Sequence, residues 1–226
     1  MTATSHLLHD PNLAAIGARD TTPPPIVRWS PPTPRDGLAG VWDRFVGPGA
    51  TRGEVWLQTA IPLAAAVFAG WWPVASGHDW PGWQSLVAGL LALDTVGGVI
   101  TNSTHTAKRW YHRAGQTAAD HLGFVAIHVI QLGLVAWLFR GGDWVFLITA
   151  YAALLAGSAL IVWSPKLLQK PVALGVYLVT LVAGLAPAAV TPGLEWFAPV
   201  FFLKLFVAHL PFEAPLAPAT HPSRGA

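Results

Sequence analysis

Six long apolar segments succeed one another along this chain, and they restrict its fold more than any other feature of the sequence. They cover residues 55–74, 83–101, 121–139, 144–163, 172–190 and 194–210. A soluble domain breaks its apolar stretches after roughly 10 to 14 residues, whereas about 20 are needed to cross the hydrocarbon core of a bilayer. The pattern predicts an all-α fold, a polytopic integral membrane helix bundle with about six transmembrane helices.

The composition favours the same class. Only 11% of the 226 residues are charged and 53% are hydrophobic, with a mean hydropathy of +0.48. Soluble domains carry roughly 25% charged residues, so this chain has too few charges to cover a water-exposed surface. The sequence contains no cysteine, which excludes a disulfide framework and a thiolate metal site.

The segments outside the apolar runs divide the chain into four parts. Residues 1–35 are rich in proline and predict a disordered cytoplasmic tail. Residues 36–46 place their apolar side chains on one face and predict a short amphipathic helix lying in the membrane interface. A six-helix transmembrane domain over 55–210 and a cytoplasmic tail over 211–226 complete the prediction.

The positive charges predict the orientation. Eleven of the 13 Lys and Arg residues lie in the N-terminal segment, in the loops after the second and fourth spans, or in the C-terminal tail. Cytoplasmic loops carry such an excess, so we expect the N- and C-termini in the cytoplasm and the protein in the cell membrane. We attribute the mild basic excess to this orientation and expect no nucleic-acid partner.

Two ionisable residues lie well inside predicted spans, Asp94 in the second and Lys204 in the sixth. Each charge alone costs roughly 2.5–3.5 kcal/mol in the centre of a bilayer on insertion scales. One hypothesis is a buried Asp94–Lys204 ion pair that holds two helices together. The other is a functional, catalytic site that contains both residues, because ionisable groups inside membranes often mark one.

Five histidines extend this polar pattern: His105, His112, His121, His128 and His209. If the second helix continues past Thr101, a single stripe runs from Asp94 through His105 and Lys108 to His112. The ends of the second and sixth spans and the start of the third lie on one side of the membrane. The sequence therefore predicts that these residues converge at the cytoplasmic leaflet.

Histidine is a frequent metal ligand, so we interpret the five histidines as candidate metal ligands. Asp94 is a further ligand or orients one of them, and a cluster of Lys108, Arg109 and Arg113 is predicted to bind an anionic lipid headgroup. His121 and His128 are about 10.5 Å apart along a helix, too close for two stacked haems. With two stacked haems excluded, a non-haem metal and a single haem are the remaining candidates for a cofactor. Each histidine also has a simpler interpretation, as a solvated loop residue, a helix cap or an interfacial side chain.

Three functions are compatible with this pattern. The first is a metal- or haem-dependent membrane enzyme that acts on a lipid-soluble substrate, with its site open to the cytoplasmic leaflet. The second is an ion- or proton-coupled transporter or channel, which needs polar residues that continue to the outer side. The third is a non-catalytic subunit of a membrane complex, whose polar stripe faces away from its own bundle. Expected partners are membrane lipids and either further copies of the chain or other subunits.

Overall fold

The computed structural model describes residues 30–184 and 189–213, which form helices and contain no strands. Most of the two predicted tails, residues 1–29 and 214–226, lies outside the described residues. The predicted fold class is confirmed, because the described part of the chain is a polytopic helical membrane bundle.

Nine α-helices follow one another. They are α1 (Gly37–Val46), α2 (Arg52–Ala75), α3 (Gly82–Ser103), α4 (His105–Tyr111), α5 (Ala118–Ala126), α6 (Val129–Leu138), α7 (Trp144–Trp163), α8 (Gln169–Gly184) and α9 (Phe197–Phe202), as far as the described residues go. A 3-10 turn, Lys166–Leu168, precedes α8, and a π-helix, Leu203–His209, continues α9.

Five helical segments in the described residues are long and apolar enough to cross a membrane. They are Arg52–Ala75, Gly82–Ser103, Ala118–Leu138, Trp144–Trp163 and Lys166–Gly184. Four of them match predicted spans closely. The remaining segment begins about six residues earlier than the predicted span over 172–190, because the turn at 166–168 leads directly into α8, and it is described as far as Gly184.

The sixth predicted span, 194–210, is shorter in the structure, where the apolar helix covers Phe197–His209. This helix lies at the centre of the bundle, with Phe201, Leu205 and Phe206 fully buried. The loop before it is also buried at Leu194. Irregular backbone is tolerated at membrane depth where protein surrounds it, so this element does not need the full thickness of the bilayer.

The second span ends at Ser103, so the predicted continuous helix through His112 is wrong. Thr104 has extended backbone angles, and its hydroxyl accepts a hydrogen bond from the amide of Ala107 to begin α4. The side chains of Asn102 and Ser103 donate to backbone carbonyls one turn earlier. Such local hydrogen bonds compete with helix continuation, and they divide the predicted stripe between two helices.

The third span is interrupted between Ala126 and Val129. His128 lies at the break with φ −72° and ψ 0°, and its backbone N–H donates to the carbonyl of Val125 at 3.1 Å. The carbonyl of Phe124 therefore loses the N–H group that an uninterrupted α-helix would supply. This break positions His128 inside the bundle.

α1 lies beside α4 at the end of the bundle where the histidines are, which we call the histidine side. Gly47 ends α1 with φ +93°, and a Cβ atom there would lie 2.5 Å from the carbonyl carbon of Thr106. Only glycine allows this approach. Leu38, Val41 and Phe45 remain exposed on α1, and the interfacial position of this helix stays a prediction.

Candidate functional site

A cavity of about 260 Å³ lies between α3 and the broken third span. We call it the membrane cleft. Its polar lining includes Asp94, Thr101, His128, Gln131 and Lys204. The cleft thus brings together both ionisable residues that the sequence placed inside the spans, with one of the five histidines.

Asp94 and Lys204 form an ion pair in the cleft. The ammonium of Lys204 lies 2.9 Å from Oδ1 and 2.8 Å from Oδ2 of Asp94. Gln131 donates from its Nε2 to Oδ2 at 3.1 Å. The Lys204 side chain is 4% exposed and that of Asp94 is 45% exposed, so the pair is anchored in the bundle and presents its carboxylate to the cleft.

The π-helix explains how one element delivers two polar side chains to α3. Lys204 reaches Asp94, and five residues later His209 reaches Asn102, with 3.1 Å between Nδ1 and Oδ1. A π-helix bonds residue i to residue i+5, so positions 204 and 209 are one turn apart on the same side. In an α-helix they would be about 140° apart. Nothing in the sequence predicted this π-helix.

His128 is held by the break in its own helix. Its Nδ1 lies 2.8 Å from the carbonyl oxygen of Phe124, which can only accept, so Nδ1 carries the proton. The side chain thereby replaces the missing backbone N–H. In the neutral imidazole the other nitrogen, Nε2, is then a hydrogen-bond acceptor. His128 is 3% exposed, so this acceptor lies within the bundle beside the cleft.

A hydrogen-bonded chain leads from the cleft toward the histidine side. The amide of Asn102 donates to Gly98, which leaves its Oδ1 to accept from Nδ1 of His209. Nε2 of neutral His209 then accepts from Nδ1 of His121 at 3.4 Å, a long contact. His121 lines a second cavity of about 240 Å³. The Asn102–His209–His121 chain thus separates two cavities.

Lys108 and His112 both bind the end of the π-helix. The ammonium of Lys108 lies 2.9 Å from the carbonyl of Pro211, and Nε2 of His112 lies 2.9 Å from the carbonyl of His209. Burial lowers the pKa of Lys108 to about 8, while nearby Glu213 opposes this shift. Burial and the charge of Lys108 lower the pKa of His112 to about 3. Both side chains satisfy carbonyls at a helix end.

The other predicted site residues are dispersed. Arg109 donates to the carbonyl of Pro48 at 3.0 Å, and Arg113 stacks on Trp110 with its Cζ 4.0 Å from the ring centroid. His105 begins α4 with an exposed side chain. Since Lys108 is buried, the three basic residues do not form one exposed surface, and their headgroup role stays a prediction.

The histidines do not form the expected ligand set. The rings of His112, His121 and His209 are in contact, with centroids 4.6 to 6.1 Å apart. However, His209 directs one nitrogen to Asn102 and the other to His121, so the nitrogens do not converge on a point. In residues 30–184 and 189–213, no group of three or more His, Asp or Glu side chains is arranged to hold a metal ion. The predicted metal and haem roles lack support from this geometry.

Three uncharged residues complete the site and were not predicted: Thr101, Asn102 and Gln131. Asn102 orients His209, and Gln131 binds Asp94. Thr101 is buried in the cleft wall, and its hydroxyl has no hydrogen-bond partner among the described residues. The available signal was the presence of amide and hydroxyl side chains on the helix faces that carry Asp94 and His128.

Comparison with known proteins gives one relative of interest. The chain is 29% identical over 173 residues to the apolipoprotein N-acyltransferase of Azotobacter vinelandii (strain DJ / ATCC BAA-1303). The similarity covers 61% of this chain and 33% of the relative, so the chain spans about a third of that protein's length. No family model and no solved structure matches the chain.

Proposed function

We propose that this chain is a membrane enzyme that acts on a lipid-soluble substrate in the membrane cleft, with His128 as general base. One observation carries the proposal: the carbonyl of Phe124 fixes the proton of His128 on Nδ1, beside the Asp94–Lys204 pair. A base that is oriented by a second group, next to a fixed cation, is the arrangement that acid–base catalysis requires.

The reaction class that we propose is acyl transfer. Nε2 of His128 takes a proton from an attacking hydroxyl, amine or water, which forms a bond to the acyl carbon. The carbonyl oxygen gains negative charge in this step, and the ammonium of Lys204 stabilises it in a low-dielectric environment. His128 then returns the proton to the leaving group as the bond to that group breaks. The similarity to the N-acyltransferase of Azotobacter vinelandii supports this class.

The position of the polar residues favours an enzyme over a docking subunit. A docking subunit would direct its polar side chains away from its own bundle, whereas Lys204, His128 and His209 are each 4% exposed or less. A transporter would need polar groups that continue to the opposite side. There, a cavity of about 210 Å³ is lined mainly by apolar residues, and Glu195 is the one carboxylate in its described lining.

The orientation remains part of the proposal. The histidine side carries α1, α4 and the turn at Lys166–Leu168, and eight of the ten Lys and Arg residues of the described chain lie in these elements or within six residues of them. We place this side in the cytoplasm of a cell membrane on the basis of that excess. The cleft and the cavity beside His121 then face the cytoplasmic leaflet.

The test uses the full chain in vesicles made from a total membrane lipid extract, with mass spectrometry of lipid species over time. We expect acyl-containing species to change with the wild-type protein. His128→Asn should lose this activity by roughly 100-fold or more. The side-chain amide of the asparagine can still donate to the carbonyl of Phe124, so the fold is retained. It has no counterpart of Nε2, so it cannot act as the base.

His105→Gln is the matched control, because His105 is exposed and lies outside the cleft. It should retain wild-type activity. Full activity in His128→Asn would refute the role of His128 as base, and unchanged lipids with the wild-type protein would refute the enzyme.

A further inference from the structure

The polar side chains that line the membrane cleft indicate the chemistry of the polar end of its ligand. Within residues 30–184 and 189–213, two of the cleft's polar side-chain atoms are buried without a hydrogen-bond partner: Oγ1 of Thr101 and Oε1 of Gln131. Thr101 is 3% exposed. A buried polar group without a partner is costly in a protein and more so in hydrocarbon. Because both residues line the cleft, a molecule bound there is placed to supply the missing contacts.

The hydrogen bonds that the cleft side chains already make define whether the ligand must supply donors or acceptors. Gln131 donates its Nε2 to Asp94, so its free Oε1 can only accept. The carboxylate of Asp94 is also an acceptor, and 45% of this side chain is exposed in the cleft. The hydroxyl of Thr101 can either accept or donate a hydrogen bond. A ligand that satisfies this set must present O–H or N–H donors.

The charge of the cleft restricts the ligand further. Asp94 and Lys204 lie 2.8 Å apart and neutralise each other. An anionic head would be repelled by the exposed oxygens of Asp94 and Gln131, and a cationic head would be repelled by the ammonium of Lys204. An uncharged head avoids both conflicts, because like charges and unpaired acceptors are unfavourable at low dielectric.

The rim of the cleft accommodates a hydrocarbon chain. Ile127 and Ile130 of the third span and Phe45 of α1 line it, and all three side chains are more than half exposed. They are apolar and face away from the protein interior. An acyl chain that leaves the cleft over these residues would lie in the surrounding lipid.

We propose that the membrane cleft binds an uncharged lipid whose polar end carries hydroxyl donors, of the monoacylglycerol type. The inference rests on the proposed function for its site, and it adds the class of the substrate. The hydroxyls donate to Gln131 and Asp94 and pair with Thr101, while the acyl chain passes Ile127 and Ile130.

The test measures binding and is independent of turnover. The full chain in nanodiscs is labelled by a photoreactive monoacylglycerol, and the labelled peptides are mapped by mass spectrometry. We expect labels on peptides of α3 and of the third span. Monooleoylglycerol should compete with the probe at least 10-fold better than methyl oleate, which has no donor, and than oleoyl lysophosphatidate, which is anionic.

Two matched variants on α3 locate the contact. Thr101→Val keeps the shape of the side chain and removes the hydroxyl, and it should weaken competition by monooleoylglycerol roughly 3- to 10-fold. Thr95→Val is the control, because the Thr95 hydroxyl already donates to the carbonyl of Leu91 at 2.7 Å and Thr95 does not line the cleft. It should bind as the wild type does.

Equal competition by monooleoylglycerol and methyl oleate would overturn the inference, as would stronger competition by lysophosphatidate. Either result leaves the proposed enzyme intact if lipid turnover depends on His128. Conversely, donor-dependent binding without any His128-dependent turnover would refute the enzyme and retain the binding site. The two proposals therefore fail in different experiments.

Discussion

Gly98 of α3 lies directly against the side chain of Lys204. A Cβ atom at position 98 would be 2.3 Å from Cε and 2.6 Å from Cδ of Lys204. The glycine thus provides the space through which the lysine reaches Asp94, one turn earlier on the same helix. Small residues in membrane helices commonly allow close helix contact, and here the space is used by a single charged side chain.

This relationship predicts the effect of one methyl group. Gly98→Ala should displace Lys204 and lower the free energy of unfolding by roughly 1–3 kcal/mol, because an added group in a packed site forces its neighbours to move. The measurement is thermal unfolding in detergent. Gly97→Ala is the matched control, since its Cβ would lie 3.5 Å from the ring of Pro62, an ordinary contact. Similar losses in both variants would contradict the account.

The ion pair itself predicts coupling between two substitutions. Asp94→Asn and Lys204→Met should each destabilise the protein, because each leaves one charge unpaired. The double variant should recover part of the loss, with an interaction energy of roughly 1–3 kcal/mol in a double-mutant cycle of unfolding measurements. Additive losses would show that the two residues act separately.

His112 predicts a pH dependence of stability. Its pKa is lowered from 6.5 to about 3 in the folded protein, so the unfolded chain binds a proton in this range that the folded chain does not. The contribution is fully present above pH 6.5 and is lost as the pH falls toward 3, at up to about 1.4 kcal/mol per pH unit.

The measurement compares the unfolding of wild type and His112→Gln between pH 7 and 5. The glutamine can still donate to the carbonyl of His209 but does not titrate, so the variant should lose less stability on acidification. His105→Gln, on the exposed start of α4, should follow the wild type. A His112→Gln profile parallel to that of the wild type would refute this origin of the acid sensitivity.

The Lys and Arg distribution predicts the topology. Reporter domains fused after Val46 and after Pro215 should both be cytoplasmic, and a reporter inserted within 75–80 should be external. Protease protection or reporter activity in cells provides the measurement. If the two termini lie on opposite sides, the buried helix Phe197–His209 does not cross the membrane.

The sequence predicted the helical class and four spans closely, because length and hydropathy are local properties. It also identified Asp94 and Lys204 as candidates for a pair, since isolated charges are costly in hydrocarbon. The break at His128 was not predicted, because Ile127 and Val129 flank it and neither proline nor glycine marks the position. The break depends on hydrogen bonds that only the folded chain forms.

The sixth span was overestimated for a related reason. Hydropathy does not distinguish a residue surrounded by lipid from one surrounded by protein, so the buried loop at Leu194 was counted as membrane helix. The π-helix could not be predicted from the sequence either, because it differs from an α-helix in hydrogen bonding and not in composition. As a result, the contact between His209 and Asn102 was not predicted.

The short central helix has a consequence for biogenesis. The helix Phe197–His209 is about 20 Å long, against roughly 30 Å of hydrocarbon, and it carries a lysine and a histidine. A translocon would release such a segment into lipid poorly by itself. α3 offers a partner for each of these groups, Asp94 and Asn102, so we expect the insertion of this segment to be coupled to its packing against α3. We therefore expect variants that disrupt Asp94 to accumulate at lower levels in the cell, in addition to unfolding more easily once purified.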